Sequence, residues 1–305
     1  METTNSKIHI DHSRRSCASS CLRKFYWQYI RNLAPAQGSN ALRYGSTWHG
    51  FLDGFYTEVM KNGWSNPHSA FEAAFKEGKE TWEKESSIQE FYSDDYRTFD
   101  NCTKAFLEYN NYYQADKEML KVLAVEKAFS IEFPNFIFDG KLDLQIELNG
   151  VNWLMEHKTT GQYLTTQIER MNRAAQTIGY WNACRILGFD MEGILINFHQ
   201  LTSRKLKSGE WGSTTMAFQR TPQLYTAQNV RDWEEHFTSV VHQIEGCLET
   251  EKWPKNYDSC YQYGRCGFLG LCDQYRDYGD ENLSGYIEKK WDVKKTVSEV
   301  IYAKL

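Results

Sequence analysis

The chemistry-bearing residues of this chain concentrate in one short stretch, where Asp143 is followed by Asn149-Gly150 and then by Glu156-His157-Lys158. Asn-Gly is a favoured two-residue hairpin turn. If it closes here, facing residues have numbers that sum to 299, as those of Asp143 and Glu156 do. Two carboxylates then share one face of a sheet, with Cβ atoms roughly 5 Å apart. Carboxylates at that distance repel, and a divalent cation between them removes the repulsion. Lys158 lies two residues beyond Glu156 and points to the same face, where its ammonium can orient a water or offset charge building on a phosphate. Magnesium or manganese held there would polarise a phosphoryl oxygen and acidify bound water, which phosphodiester hydrolysis needs. His157 faces the other side, leaving only its backbone carbonyl near the metal. On an exposed hairpin the same residues make a plain Glu to Lys ion pair. Trp153, Leu154 and Met155 argue instead for a mostly buried strand, where charge has a partner or a function.

Hydrophobic periodicity supplies the elements that must position these side chains. From Ser13 to Arg31, Leu22, Phe25, Tyr26, Tyr29 and Ile30 recur at helical spacing, and a second helix from about Gly45 carries Trp48, Phe51, Leu52 and Phe55 on one face. Phe71 to Leu120 predicts two or three more helices. At Leu123 the period changes to two: Val125, Lys127, Phe129 and Ile131 alternate with Glu126, Ala128, Ser130 and Glu132, as in a half-buried strand. Strands over Phe136 to Leu148 and Val151 to Lys158 flank the Asn-Gly turn. A helix over about Thr166 to Leu187 follows. A strand over Gly193 to Leu201 then pairs with Thr214 to Arg220 across Lys207-Ser208-Gly209-Glu210, and a helix spans about Ala227 to Glu249. This order predicts an α/β class with a mixed central sheet flanked by helices.

With 305 residues and 41% hydrophobic content the chain can fill a sizeable core. The expected organisation is one domain over 1–305, with a helical insertion over 50–121, a catalytic sheet core over 122–220 and a cysteine module over 253–276. No run approaches the roughly eighteen apolar residues of a membrane span, and Met1 to Ile10 has no signal-like apolar core, so a cytoplasmic protein with no membrane partner is expected. A net charge of -5 excludes coating nucleic acid by charge alone. Local basic groups remain, in Arg14, Arg15, Arg23, Lys24 and Arg31 and in Arg204, Lys205 and Lys207, which equally suit a solvated surface.

Gly140-Lys141-Leu142-Asp143 followed by Glu156-His157-Lys158-Thr159-Thr160 resembles the catalytic signature of the PD-(D/E)XK nucleases. Gly45-Ser46-Thr47-Trp48-His49 is similar to the upstream motif of their RecB-like branch, and Gln176-Thr177-Ile178-Gly179-Tyr180 to its QxxxY motif. The resemblance implies a restriction-endonuclease-like core. His49, Asp143, Glu156 and the His157 carbonyl would hold the metal. Asp143, Glu156 and Lys158 would be catalytic, with Glu126 assisting through a second metal or an ordered water. Gln176 and Tyr180, on one helical face, would contact the DNA backbone and frame the site. The implied activity is metal-dependent cleavage of DNA, as an exonuclease on single strands or ends, in recombination, repair or phage DNA metabolism. Any unwinding would come from a helicase or recombination partner. The rival role is a non-catalytic DNA-binding or assembly module. Exposed aromatics, for example among Tyr109, Tyr112 and Tyr113, would stack on unpaired bases, although core packing explains them equally well.

Eight cysteines without a secretory signal suggest thiols or metal ligands rather than disulfides. Cys21-Leu22-Arg23-Lys24-Phe25-Tyr26 resembles the N-terminal cysteine motif of iron-sulfur RecB-like nucleases, the AddB-type subunits and CRISPR adaptation nucleases among them. Their other cysteines lie far downstream, as Cys260, Cys266 and Cys272 do. Four thiolates in that arrangement imply a 4Fe-4S cluster. The spacing departs from the family's two-then-five pattern, with Tyr263 where the nearer cysteine would fall. A structural zinc would accept the same four ligands. Cys17 sits one helical turn from Cys21 without its context, and Cys102, Cys184 and Cys247 read as ordinary cysteines.

Overall fold

The Asn149-Gly150 turn closes as its residue types predict, both residues having positive φ, 52° and 80°. In the computed structural model, strands β4 (Phe136–Leu148) and β5 (Val151–Thr160) pair antiparallel in the expected register, from Leu144 opposite Met155 to Leu148 opposite Val151. Asp143 and Glu156 are the next residues on the two strands. The structure describes residues 7–262, 264–274, 283–290, 292 and 299–305; Tyr263, the first six residues, and 275 and 276 of the expected cysteine module lie outside them. The chain forms two compact units, one of Gly38–Lys127 with Lys141–Thr226, the other of Met1–Gln37, Ala128–Gly140 and Ala227–Leu305. The fold is α/β, with a mixed sheet flanked by helices.

In the unit that carries the hairpin, β5 runs parallel to β6 (Gly193–Thr202), and β6 pairs antiparallel with β7 (Thr215–Gln223). The β6–β7 connection closes through Gly209, whose φ is 89°. Helix α3 (Asn40–Asn62) follows α1 (His12–Ser20) and α2 (Leu22–Phe25) of the other unit; it is capped by Ser39 and stopped by Gly63 at φ 69°. Helix α4 (Pro67–Ile88) starts with proline in its first turn, where the missing N–H is harmless. The two helices meet at small residues: a Cβ on Gly54 would lie 2.5 Å from the Ala73 carbonyl oxygen, and one on Gly78 would lie 2.6 Å from the Phe51 ring. Trp48, Phe51, Phe55 and Tyr56 pack with Phe106 and Tyr109 of α5 (Phe99–Tyr112) in one buried cluster, and α6 (Asp116–Met119) leads into β3 (Leu120–Glu132).

Two expected elements are interrupted here. The alternation of β3 breaks at Glu126, whose φ is 52°, a left-handed residue inside a strand as in a bulge. The helix expected over Thr166 to Leu187 is two, α7 (Leu164–Met171) and α8 (Ala175–Ile186). Ala174 between them is extended, at φ -76° and ψ 122°.

In the other unit, β1 (Ile8–Ile10) runs parallel to the start of β4, and β9 (Val300–Lys304) parallel to the end of β3. β2 (Leu33–Pro35) pairs antiparallel with β8 (Tyr286–Glu288). Phe136 and Phe138 pack on Trp233 and Phe237 of α9 (Ala227–Thr250), and α10 (Leu269–Gln274) follows. The helix expected over Ser13 to Arg31 is also divided. Cys21, extended at φ -164° and ψ 116°, separates α1 from α2, and Tyr26–Ile30 continues as a π-helix.

Gly54→Ala should lower stability by about 1–3 kcal/mol, because the added methyl meets backbone that cannot rotate away. A thermal melt reads this as a lower Tm; an unchanged Tm would mean that α3 and α4 are not in close contact.

Candidate functional site

Helix α3 approaches β5 closely at Gly45, where a Cβ would lie 3.2 Å from Thr159 Oγ1. One turn later α3 presents His49, whose Nδ1 lies 3.6 Å from Asp143 Oδ1 and which is also hydrogen-bonded to the His157 backbone. Ligand atoms of His49, Glu126 and Asp143 all lie within 4.8 Å of one another. The left-handed backbone of Glu126 is what interrupts β3 at this point. Asp143 Oδ2 accepts the His157 backbone N–H at 2.9 Å, which binds the carboxylate to the neighbouring strand.

Glu156 and Lys158 share the expected face. Lys158 Nζ donates to Glu156 Oε1 at 2.6 Å and to Gln176 Oε1 at 2.8 Å, while Gln176 Nε2 donates to Glu156 Oε1 at 2.9 Å. Gln176 of α8 therefore braces the pair, and Tyr180, one turn on, is buried. His157 turns to the opposite face, its ring parallel to that of Tyr56. Among the described residues, two buried carboxylate oxygens, Glu126 Oε1 and Glu156 Oε2, have no hydrogen-bond partner. Unpaired buried anionic oxygens beside a histidine and a third carboxylate suit a hard divalent cation, which takes oxygen ligands and tolerates an imidazole.

Two neighbours of the site were not expected. Lys141 forms an ion pair with Glu126, and Asp53 feels both Lys141 and Asp143. Their spacing was informative: Lys141 is two residues from Asp143 on a strand, and Asp53 one helical turn from His49. Of the tyrosines expected to stack on bases, Tyr109 belongs to the core at 1% exposure and Tyr113 lies under the Arg220 guanidinium. Tyr112 is exposed.

In the other unit, Cys21, Cys260, Cys266 and Cys272 line one cavity of about 200 Å³, with Lys24, Lys255 and Arg265 also in its wall. The Asn256 N–H donates to Cys21 Sγ at 3.4 Å, and the Cys266 N–H to the Cys260 carbonyl at 2.8 Å. Cys17 is not part of this lining. It donates to Gln28 Oε1, and burial pushes its thiol up to about 12.

The family model of the PD-(D/E)XK nuclease superfamily matches residues 9–273. The chain belongs to that superfamily. Its match takes in every candidate residue from Cys21 to Cys272. Among solved structures, this PD-(D/E)XK chain resembles a candidate exonuclease from Eubacterium rectale at 12% identity and a TM-score of 0.50, covering 92% of this chain and 96% of that one. At that identity the likeness concerns the fold. SSO0001 is matched at 9% identity with a TM-score of 0.33, over 90% of this chain and 91% of the other. No curated protein matches the chain. Among the described residues, no helix is long and apolar enough to cross a membrane.

Burial and the nearby Asp143 raise Glu156 from the ordinary 4.5 to about 7, against the pull of Lys158. Burial also raises Asp143, and it lowers His49 to about 4. Burial works against the Lys158 ammonium, but Glu156 and Asp143 outweigh it and hold its pKa above the usual value. A carboxylate raised on folding is most favourable while protonated, so its contribution to stability is complete below its ordinary value and is lost as pH rises through about 7. The buried neutral histidines His49, His157 and His199 act in the opposite sense up to about pH 6.5, so the comparison with Glu156→Gln isolates the carboxyl. The metal-free parent should lose stability relative to Glu156→Gln between about pH 5 and pH 7.5, and manganese should restore most at the upper end. A constant difference in Tm between the two across that range would remove Glu156 as a contributor.

Proposed function

We propose that this PD-(D/E)XK chain is a RecB-like, divalent-metal-dependent DNA nuclease, an exonuclease on single-stranded DNA or DNA ends. The observation that carries the proposal is the gathering of His49, Glu126 and Asp143 ligand atoms within 4.8 Å of one another, next to the Glu156–Lys158 pair, with Glu126 Oε1 and Glu156 Oε2 buried and without a hydrogen-bond partner among the described residues. His49, Asp143, Glu156 and the His157 carbonyl would hold magnesium or manganese, and Glu126 would serve a second ion. When bound, the metal supplies Lewis acidity toward a phosphoryl oxygen and a water of lowered pKa. Asp143 is held in place by the His157 N–H, and Gln176 bonds to both Glu156 and Lys158, which also bond to each other. The Lys158 ammonium, kept charged by its carboxylate neighbours and 26% exposed, is placed to orient the attacking water and to offset charge growing on the phosphate.

The DNA substrate and the preference for ends rest on the family resemblance, with the Eubacterium rectale neighbour pointing the same way. Lys158→Ala and Asp143→Asn should each reduce metal-dependent cleavage of single-stranded DNA by at least about 10²-fold, with melting temperatures near that of the parent. Full activity in either variant refutes the catalytic assignment. Absence of cleavage by the parent on any end structure favours the assembly-module role.

The four cysteines around one cavity support a 4Fe-4S cluster as the second bound group. Zinc with ligands at about 2.3 Å would draw its sulfurs to within about 4 Å of each other. Protein purified without oxygen should be brown, and Cys266→Ser should lose colour and bound iron together. A colourless parent containing zinc would replace the cluster with a structural zinc.

A further inference from the structure

The face of β5 that points away from Glu156 and Lys158 carries a closed polar network that metal binding does not itself require. Arg220 of β7 makes a two-point pair with Asp116, at 2.7 and 2.6 Å, and lies over the Tyr113 ring at 3.7 Å. Its Nε donates to Asn197 Oδ1 at 3.4 Å and its second terminal nitrogen to the Tyr109 hydroxyl at 2.9 Å. Asn197 Nδ2 lies 2.9 Å from both the Tyr109 hydroxyl and His157 Nδ1. Asp116, Tyr109, Asn197 and His157 are all at most 4% exposed.

The hydrogen-bond directions in this network follow from elimination. A guanidinium only donates, so the atom of Asn197 facing Arg220 Nε is the carbonyl oxygen, and the amide cannot be reversed. Its NH2 must then face His157, whose Nδ1 has to accept. The imidazole is thereby fixed as the neutral form with its proton on Nε2, since a proton on Nδ1 would meet the Asn197 NH2. The Tyr109 hydroxyl, with two donors on its oxygen, directs its own proton to Tyr56, 3.0 Å away, and the Tyr56 ring lies parallel to His157. The Asn197 amide thus sets the orientation of the His157 ring at Nδ1.

His157 is also the residue whose backbone N–H holds Asp143 and whose backbone His49 engages. Anchoring the ring anchors the His157 Cα, to which the peptide units leading to Glu156 and to Lys158 are both attached. We propose that Arg220, set by Asp116 and acting through Asn197, is a positioning residue for the metal centre: it fixes the His157 ring and through it the backbone that aims Asp143, Glu156 and Lys158. This inference rests on the metal-site reading proposed above. Outer partners that orient metal ligands typically affect affinity by about 10- to 100-fold.

The test is manganese titration of the full chain by calorimetry, with thermal melts on the same samples. Arg220→Lys keeps a charge for Asp116 but lacks the planar fork that also reaches Asn197. It should stay folded and bind manganese about 10-fold more weakly, with cleavage recovering at high metal. Asn197→Leu, of similar size but without the amide, should do the same. Parental affinity in both folded variants would overturn the inference and leave Arg220 as a core clamp. Asp143→Ala in the same series separates the two readings. Unchanged affinity there refutes the metal site and this inference with it, whereas lost affinity there with full affinity in Arg220→Lys refutes the positioning role alone.

Discussion

Burying Asp143 and Glu156 side by side is the constraint that organises this unit. Each is at most 7% exposed, on adjacent strands, and Asp143 raises the energy of an ionised Glu156. A buried charge without a partner costs several kcal/mol, and two like charges cost more. The surroundings are arranged accordingly: a backbone N–H on Asp143, an ammonium and an amide on Glu156, and a histidine from α3 on the remaining side. Even so, one oxygen of Glu156 and one of Glu126 remain without hydrogen-bond partners among the described residues. The described residues alone leave the charge incompletely balanced, beside the His49, Glu126 and Asp143 group proposed to take a cation.

The two faces of β5 solve different problems. On one, Glu156, Lys158 and Gln176 exchange hydrogen bonds at a partly open surface. On the other, His157 sits among Tyr56, Asn197 and the Arg220 pair in a sealed, fully specified network. Alternation along a strand lets three consecutive residues serve both. Glu156 and Lys158 face the proposed metal site, while His157 fastens the strand to the interior. A tripeptide that reads as a single motif in sequence is divided between two faces in space.

How much of this was legible in the sequence depends on the range of the interaction. The hairpin register was, because Asn149-Gly150 sets it locally and simple addition then pairs Asp143 with Glu156. Helix α3 was, because Trp48, Phe51 and Phe55 recur on one face. The breaks were not. Cys21 interrupts a helical pattern that its neighbours continue, and Glu126 takes a backbone conformation for which glutamate has no preference. The Arg220 to Asp116 pair joins residues more than a hundred positions apart, and no local spacing announces it. For Tyr109 the sequence left base stacking and core packing open, and its hydroxyl bonds to Tyr56, Asn197 and Arg220 decide for the core.

Glu126 records a conflict between folding and function in a single dihedral angle. At φ 52° the backbone favours glycine or asparagine, and a glutamate there costs about 1 kcal/mol or more. Folding alone would favour glycine there, and the proposed use of the carboxylate at the metal centre is what would offset the cost. On that reading a chain relieved of metal binding would accept glycine or asparagine at this position with little disturbance to the rest of the strand. The same exchange that frees the backbone would empty the site of one ligand, so the two demands on residue 126 cannot be met by one side chain.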